Sequence, residues 1–283
     1  MIRIKGHSNF NLAVLEECRE TKPLIRKSSN SPPDSTRLIR QCNKQIVFVE
    51  KNIKGITSPQ VFSQSFNQNG FYFDMEYLPH SEFLNFLIEK PILEIKKSID
   101  TILDFVDQCV NESREELISS DIFLKKSKSI KKNLKNNKFI NNKNYKKMCL
   151  ALDDSIDRCL GSSIPTGYCH GDLTLSNILY SNGEIVFIDF LDSFIETPLQ
   201  DIVKLRQDTK HFWSLRLLSG NHDTTKLKIV LRYIDNQIQY RFSCYNFYKA
   251  LYASFQSISL IRVAQYAKSH STIDYIFTCL ENP

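Results

Sequence analysis

The chain has 283 residues, 42% hydrophobic and 24% charged, which suits one large domain or two lobes with buried cores and excludes an intrinsically disordered chain. The formal charge of +6 is modest and dispersed, a hint of an anionic ligand, and no recognised nucleic-acid-binding motif accompanies it. Eight singly spaced cysteines lack zinc-site spacing, and there is neither an amino-terminal signal pattern nor a run of ~18 apolar residues, so the expectation is a reduced, cytoplasmic protein without membrane insertion.

Residues 2 to 27 contain short β-type runs with a bend at Gly6 and a hairpin near Arg19 to Lys22. Leu38, Cys42, Ile46 and Val49 then recur at helical spacing, with Asp34 or Ser35 as candidate N-cap. Asn69-Gly70 lies between two further β-type runs and predicts a hairpin whose second strand ends before Pro79. From Ser81 to about Leu160 the pattern is helical and polar, with a Lys- and Asn-rich stretch at Lys125 to Lys147 that reads as loop or exposed helix. A strand-rich beginning and a helix-rich remainder predict an α+β protein of two parts, residues 1–78 and 79–283, joined near Tyr77 to His80.

The stretch Tyr168 to Phe194, "YCHGDLTLSNILYSNGEIVFIDFLDSF", carries the chemistry. Ser181-Asn182-Gly183-Glu184 joins two apolar runs as a hairpin, which brings Asp189, after the second strand, back beside Asn177, before the first. Two oxygen-bearing side chains there suit a hard cation such as Mg²⁺. Asp172, in the turn before the hairpin, suits a base or orienting group for a hydroxyl nucleophile, and His170 suits a loop-bracing role. Each residue alone could merely cap a turn, but their order and spacing favour a site. Further helices follow, from "ETPLQDIVKL" onward, with aromatic residues at core spacing.

"HGDLTLSNIL" and "IDFLDS" resemble the aminoglycoside phosphotransferase and choline kinase-like families, small-molecule relatives of protein kinases. The resemblance implies a two-lobed protein-kinase-like fold, with a small antiparallel-sheet lobe bearing one helix and a larger, mainly helical lobe, using ATP and Mg²⁺. It implies that Asp172 is catalytic with His170 bracing its loop, and that Asn177 and Asp189 bind the metal. In "LIRK" the phosphate-binding basic residue would be Arg26, favoured, or Lys27, because strand alternation lets only one of them face the site. Gln41 stands where these families usually carry the Glu that pairs with that basic residue, so the pairing is weaker or Glu50 or another acid replaces it. Glu76, Tyr77 and Leu78 would form the adenine-binding hinge, and Ser8 and Asn9 the phosphate-covering loop. Asp201 would cap a helix and hold the catalytic loop. Gly171 stands where protein kinases carry an Arg, and Pro198 follows Asp189 by only nine residues, leaving no room for a long peptide-docking segment.

From Asp201 to Lys268 there are eleven Lys and Arg against four Asp and Glu, net +7, which disfavours a polycationic acceptor. A small neutral or anionic acceptor is expected, such as a sugar, sugar phosphate or polyol, with Arg206, Asp208 and His211 as contacts. The alternatives are an amino alcohol of the choline or ethanolamine type, held by an aromatic cage, and an inactive, pseudokinase-type binding protein, suggested by Gln41 and the glycine-poor loop.

Overall fold

The computed structural model describes residues 2–4, 10–15, 23–68, 70–181, 183–217 and 224–282. They divide into two compact units, residues 1–105 with 170–193, and 106–169 with 194–283.

The first unit begins with a five-stranded antiparallel sheet. Its strands are β1 (Ile2–Ile4), β2 (Asn11–Leu15), β3 (Leu24–Ser28), β5 (Val61–Asn67) and β6 (Gly70–Glu76), in the order β1-β2-β3-β6-β5. Helix α1 (Pro32–Lys51) covers one face. Ile25, Phe71, Phe73 and Met75 on the sheet meet Leu38, Cys42 and Ile46 on the helix, all apolar at strand and helix period. The N-cap is Ser31, upstream of both expected residues: its Oγ accepts from the Asp34 N–H at 3.4 Å and donates to the Asp34 carboxylate at 2.6 Å, with Pro32 in the first turn. Ser35 instead lies inside the helix, where its Oγ accepts from the Phe71 N–H at 3.1 Å and ties the helix to the β5–β6 hairpin. Asn52, in the left-handed region at φ 47°, ends the helix.

A second, four-stranded sheet follows the order β4-β11-β10-β7, formed by β4 (Ile56–Thr57), β7 (Ser81–Glu82), β10 (Ile178–Ser181) and β11 (Glu184–Phe187). Strands β10 and β11 form the hairpin read from the sequence, with Ile178 opposite Phe187 and Ser181 opposite Glu184. Phe48 of α1 lies 5.7 Å from the Phe187 ring and 5.1 Å from the Phe190 ring, so one buried aromatic cluster seats α1 over the end of this hairpin. Helix α2 (Phe83–Glu89) buries Phe83 and Phe86 and places Phe86 against Tyr180. Helix α3 (Ile92–Glu112) starts in this unit and ends in the other.

The second unit holds the β8 (Arg114–Leu117) and β9 (Ser163–Thr166) pair and helices α4 (Ser120–Lys135), α5 (Asn142–Asp157), α6 (Pro198–Thr209), α7 (Thr224–Phe242), α8 (Asn246–Ala264) and α9 (His270–Leu280). The Lys-rich stretch is two helices separated by a turn, and α4 buries Phe123, Ile130 and Leu134 beneath its lysines. The β8–β9 pair was not expected: "REEL" is exposed along its whole length, so no alternation of apolar and polar residues marks it. Every residue of α6 is buried, and α8 packs against α5, α6 and α9. Phe242, Phe247, Tyr248, Tyr252 and Phe255 are core residues, as their spacing suggests. Among the described residues, no helix is long and apolar enough to cross a membrane.

Candidate active site

The hairpin does what its spacing requires. The Ile188 N–H donates to the Asn177 carbonyl at 3.1 Å, so Asn177 and the segment entering Asp189 lie abreast at the open end of β10 and β11. A short 3₁₀ turn, Leu175–Asn177, leads into β10 and swings the Asn177 amide back onto the preceding loop. Its Nδ2 donates to the Asp172 carbonyl at 2.8 Å and to the Asp172 carboxylate at 3.2 Å. This fixes the orientation of the amide and leaves Oδ1 as its remaining polar atom.

His170 is fully buried beneath the loop. Its Nε2 donates to the Ile188 carbonyl at 2.9 Å, and its Nδ1 accepts from the Asp172 N–H at 3.2 Å. The ring lies on Phe190 at 4.5 Å and edge-on to Phe187. Burial pushes its pKa down to about 4, so it is a neutral imidazole with one defined tautomer. It joins the loop to the strand end and offers the site no proton.

Gly171 is dictated by close approach. It sits at φ 87°, and a Cβ there would collide with the Leu191 carbonyl oxygen and press on the Ser193 hydroxyl. The Leu191 N–H donates to the His170 carbonyl at 3.0 Å, so residues 170–171 and the segment 191–193 lie backbone against backbone. An Arg would not fit.

Asp189 adopts φ 59°, a left-handed conformation that Asp tolerates better than most residues. Lys27 Nζ lies 2.8 Å from its Oδ1 and holds its pKa below the usual carboxylate range, against the opposing effects of burial and of Asp172. The carboxylate is deeply surrounded, yet 42% of the side-chain surface stays open.

Geometry separates the two basic residues of β3 and places Lys27, not Arg26, beside Asp189. Arg26 lies opposite Asp74 in the β3–β6 register and on the other face from Lys27. Its Nε and Nη2 grip the Asp74 carboxylate at 2.7 and 2.8 Å, and its guanidinium lies 4.0 Å over the Tyr72 ring. Lys27, 4% exposed, emerges on the α1 face, where it meets Asp189 and also donates to the Gln41 Oε1 at 3.2 Å. Gln41 is thus paired with Lys27, whereas Glu50 is exposed at the far end of α1. Lys44, which the sequence reading did not single out, donates to the Leu191 carbonyl at 2.9 Å. Its place three residues after Gln41 on one helical face was the available signal.

Glu76 ends β6, and Tyr77 and Leu78 follow it as a half-buried, irregular segment; the Glu76 N–H donates to the Gln60 carbonyl at 2.9 Å and His80 Nδ1 donates to the Leu78 carbonyl at 2.8 Å. Ser8 and Asn9 lie outside the described residues.

In the second unit, Thr197 rather than Asp201 caps α6, and Asp201 is fully buried in its first turn. Arg206 is 4% exposed, bidentate to Asp235 at 2.8 Å through both nitrogens, and bonded to Tyr248 and Gln239. Asp208 has no exposed surface and accepts from the Ser214 N–H and hydroxyl at 3.0 and 2.6 Å. It serves that turn and presents no open face to an acceptor. His211 is buried, with its pKa pushed down to about 4 and its Nε2 unbonded. Arg206 also borders a cleft of about 330 Å³ shared with Lys210, Tyr248 and Lys249.

The profile of the phosphotransferase enzyme family matches residues 136–221, which include the Asp172 loop and the Asp189 hairpin. No protein of curated function matches the chain in sequence. Among solved structures, a glucosamine kinase in complex with glucosamine, ADP and inorganic phosphate is 10% identical with a TM-score of 0.56, over 92% of this chain and 72% of that one. A GDP complex of a variant aminoglycoside 2′-phosphotransferase is 10% identical with a TM-score of 0.59, over 99% and 89% of the two chains. An aminoglycoside phosphotransferase from Streptomyces rimosus is 11% identical with a TM-score of 0.55, over 84% and 86%. The resemblance to the aminoglycoside phosphotransferase family is thus met twice, by the family profile over residues 136–221 and by a shared protein-kinase-like α+β fold.

Proposed function

We propose that the protein is an ATP- and Mg²⁺-dependent kinase that phosphorylates a hydroxyl of a small neutral or anionic molecule, such as a sugar, sugar phosphate or polyol. The observation that carries this reading is the convergence of Lys27, Asp172, Asn177 and Asp189 within one unit, with each side chain held by a named neighbour.

Asp172 orients the acceptor hydroxyl and takes its proton as the oxygen attacks, while Asn177 and His170 hold its carboxylate and backbone. Lys27 steadies the phosphates and is itself anchored by Gln41. The neutral Gln therefore does not leave the lysine unsupported, which favours an active kinase over a binding-only relative. A divalent cation fits the residues present: Asp172 is close enough to Asp189 for repulsion to work against the lowering of the Asp189 pKa by Lys27, and Asn177 keeps an amide oxygen beside Asp172. Asn177 and Asp189 would hold Mg²⁺, which when bound would neutralise phosphate charge. Glu76, Tyr77 and Leu78 would receive adenine, and Ser8 and Asn9 would cover the phosphates. On this reading residues 1–78 form the nucleotide-binding lobe and 79–283 the catalytic and acceptor lobe. The cations Lys210 and Lys249 at one cleft favour an anionic or neutral acceptor over a polycationic one.

The test is ADP release from ATP and Mg²⁺ against a panel of sugars, sugar phosphates, polyols, amino alcohols and aminoglycosides, with Asp172→Ala as control. Turnover on one class that vanishes in the variant supports the reading. Failure of the protein to bind Mg²⁺-nucleotide at all would overturn it.

A further inference from the structure

Helix α1 reaches the metal-binding segment through more than Gln41. Arg40, Gln41, Lys44 and Phe48 lie along one side of the helix. Arg40 Nη1 pairs with the Asp192 carboxylate at 2.7 Å, Lys44 Nζ donates to the Leu191 carbonyl at 2.9 Å, and Phe48 packs on Phe190. The Leu191 backbone is therefore fixed at both its polar groups, its N–H by the His170 carbonyl and its C=O by Lys44, with Gly171 leaving room for that oxygen. Two residues upstream is Asp189, whose left-handed backbone needs such over-determination to persist.

We propose that Lys44 is a positioning residue that couples α1 to Asp189 through the Leu191 carbonyl, taking over the coupling that an acid at position 41 would provide through Lys27. The polarity is reversed: the helix offers cations to the 189–192 segment instead of a carboxylate to the phosphate-binding lysine. Lys44 is the principal tie. Arg40 is 62% exposed, so its ion pair is screened and contributes less.

This inference deepens the kinase reading for its effect on nucleotide but rests on the structure alone for its effect on the backbone, and the experiment separates the two. Amide hydrogen exchange of the nucleotide-free full chain would be followed for residues 189–193 in wild type, Lys44→Met, Lys44→Arg and Arg40→Ala, with α8 as the internal reference for global stability. Mg²⁺-ADP affinity would be measured on the same samples by calorimetry. The expected result for Lys44→Met is exchange of the Leu191 and Asp192 amides about 10-fold faster with α8 unchanged, and Mg²⁺-ADP affinity down about 10-fold. Lys44→Arg restores both, and Arg40→Ala changes either by less than about 3-fold. Unchanged exchange in Lys44→Met overturns the tie, and faster exchange with unchanged Mg²⁺-ADP affinity overturns the positioning role. Faster exchange in a protein whose wild type does not bind Mg²⁺-ADP upholds the tie and sinks the kinase reading instead.

Discussion

Replacing the two adjacent basic residues of β3 separately should give opposite kinds of damage. Lys27→Met removes the ammonium 2.8 Å from Asp189 and 3.2 Å from Gln41. Asp189 keeps 42% of its side chain open to water, so the stability cost is about 1–2 kcal/mol, below that of a fully buried pair. Loss of a charge aimed at the transferring phosphates should instead lower turnover by about 10²–10³-fold. Arg26→Met strips two charge-assisted hydrogen bonds from Asp74 and a cation–ring contact from Tyr72, and leaves Asp74, whose side chain is 9% exposed, with only the Ser63 hydroxyl at 2.9 Å among these partners. That should cost about 1.5–3 kcal/mol of stability and leave kcat within about 3-fold of wild type once both proteins are folded. The assay pairs urea denaturation with ADP release at saturating and limiting ATP. Because an unidentified acceptor could hide turnover, the slow hydrolysis of ATP by water serves as a second readout. A loss of turnover in Arg26→Met comparable to that expected for Lys27→Met, with Lys27→Met active, would refute the assignment of Lys27 to the phosphates and restore the original preference.

Three further outcomes follow from the same geometry. Asp189→Asn should abolish Mg²⁺-dependent nucleotide binding in a thermal-shift assay, whereas Asp172→Asn should retain it and lose turnover by about 10²–10⁴-fold. Gly171→Ala should destabilise by about 2–4 kcal/mol, from left-handed strain plus collision with the Leu191 backbone, measured as a drop in denaturation midpoint. His170, whose pKa falls on folding from 6.5 to about 4, contributes stability that is fully present above pH 6.5 and is lost as pH falls toward 4. Each such group steepens acid unfolding by up to about 1.4 kcal/mol per pH unit in that window, so His170→Gln should flatten the slope of stability against pH between 6.5 and 4, whatever it does to the midpoint.

The parts of the site that were legible in the sequence are those closed by short-range geometry. Asn177 and Asp189 are twelve residues apart and joined by a four-residue pairing whose turn residues declare themselves, so their juxtaposition needs nothing from the rest of the fold. Likewise the α1 face and the β5–β6 hairpin follow from apolar period and from Gly70. The choice between Arg26 and Lys27 is different. Leu24 and Ile25 are both apolar, so alternation says only that the two basic residues face apart. Which face α1 covers is decided by Phe71, Phe73 and Met75 across a register that joins residues about fifty positions away, and Asp74 opposite Arg26 belongs to the same long-range pairing.

The acceptor residues show the converse limit. A helix bearing Lys204, Arg206, Asp208 and Thr209 reads as a solvated face, because periodicity counts a charged residue as a surface residue. In the fold, α6 is buried along its whole length, and its charges are answered by groups remote in sequence: Arg206 by Asp235 and Tyr248, Asp208 by the backbone and hydroxyl of Ser214. Buried charge of this kind persists only when every partner is in place, and no local pattern records the partners. Charge count over 201–268 therefore bears on the proposed acceptor only as a net charge and does not pick out single contact residues. Lys210 and Lys249 edge a surface cleft, where Arg206, gripped through Nε and Nη2 by Asp235, serves mainly to fix the Tyr248 and Tyr252 rings beside it.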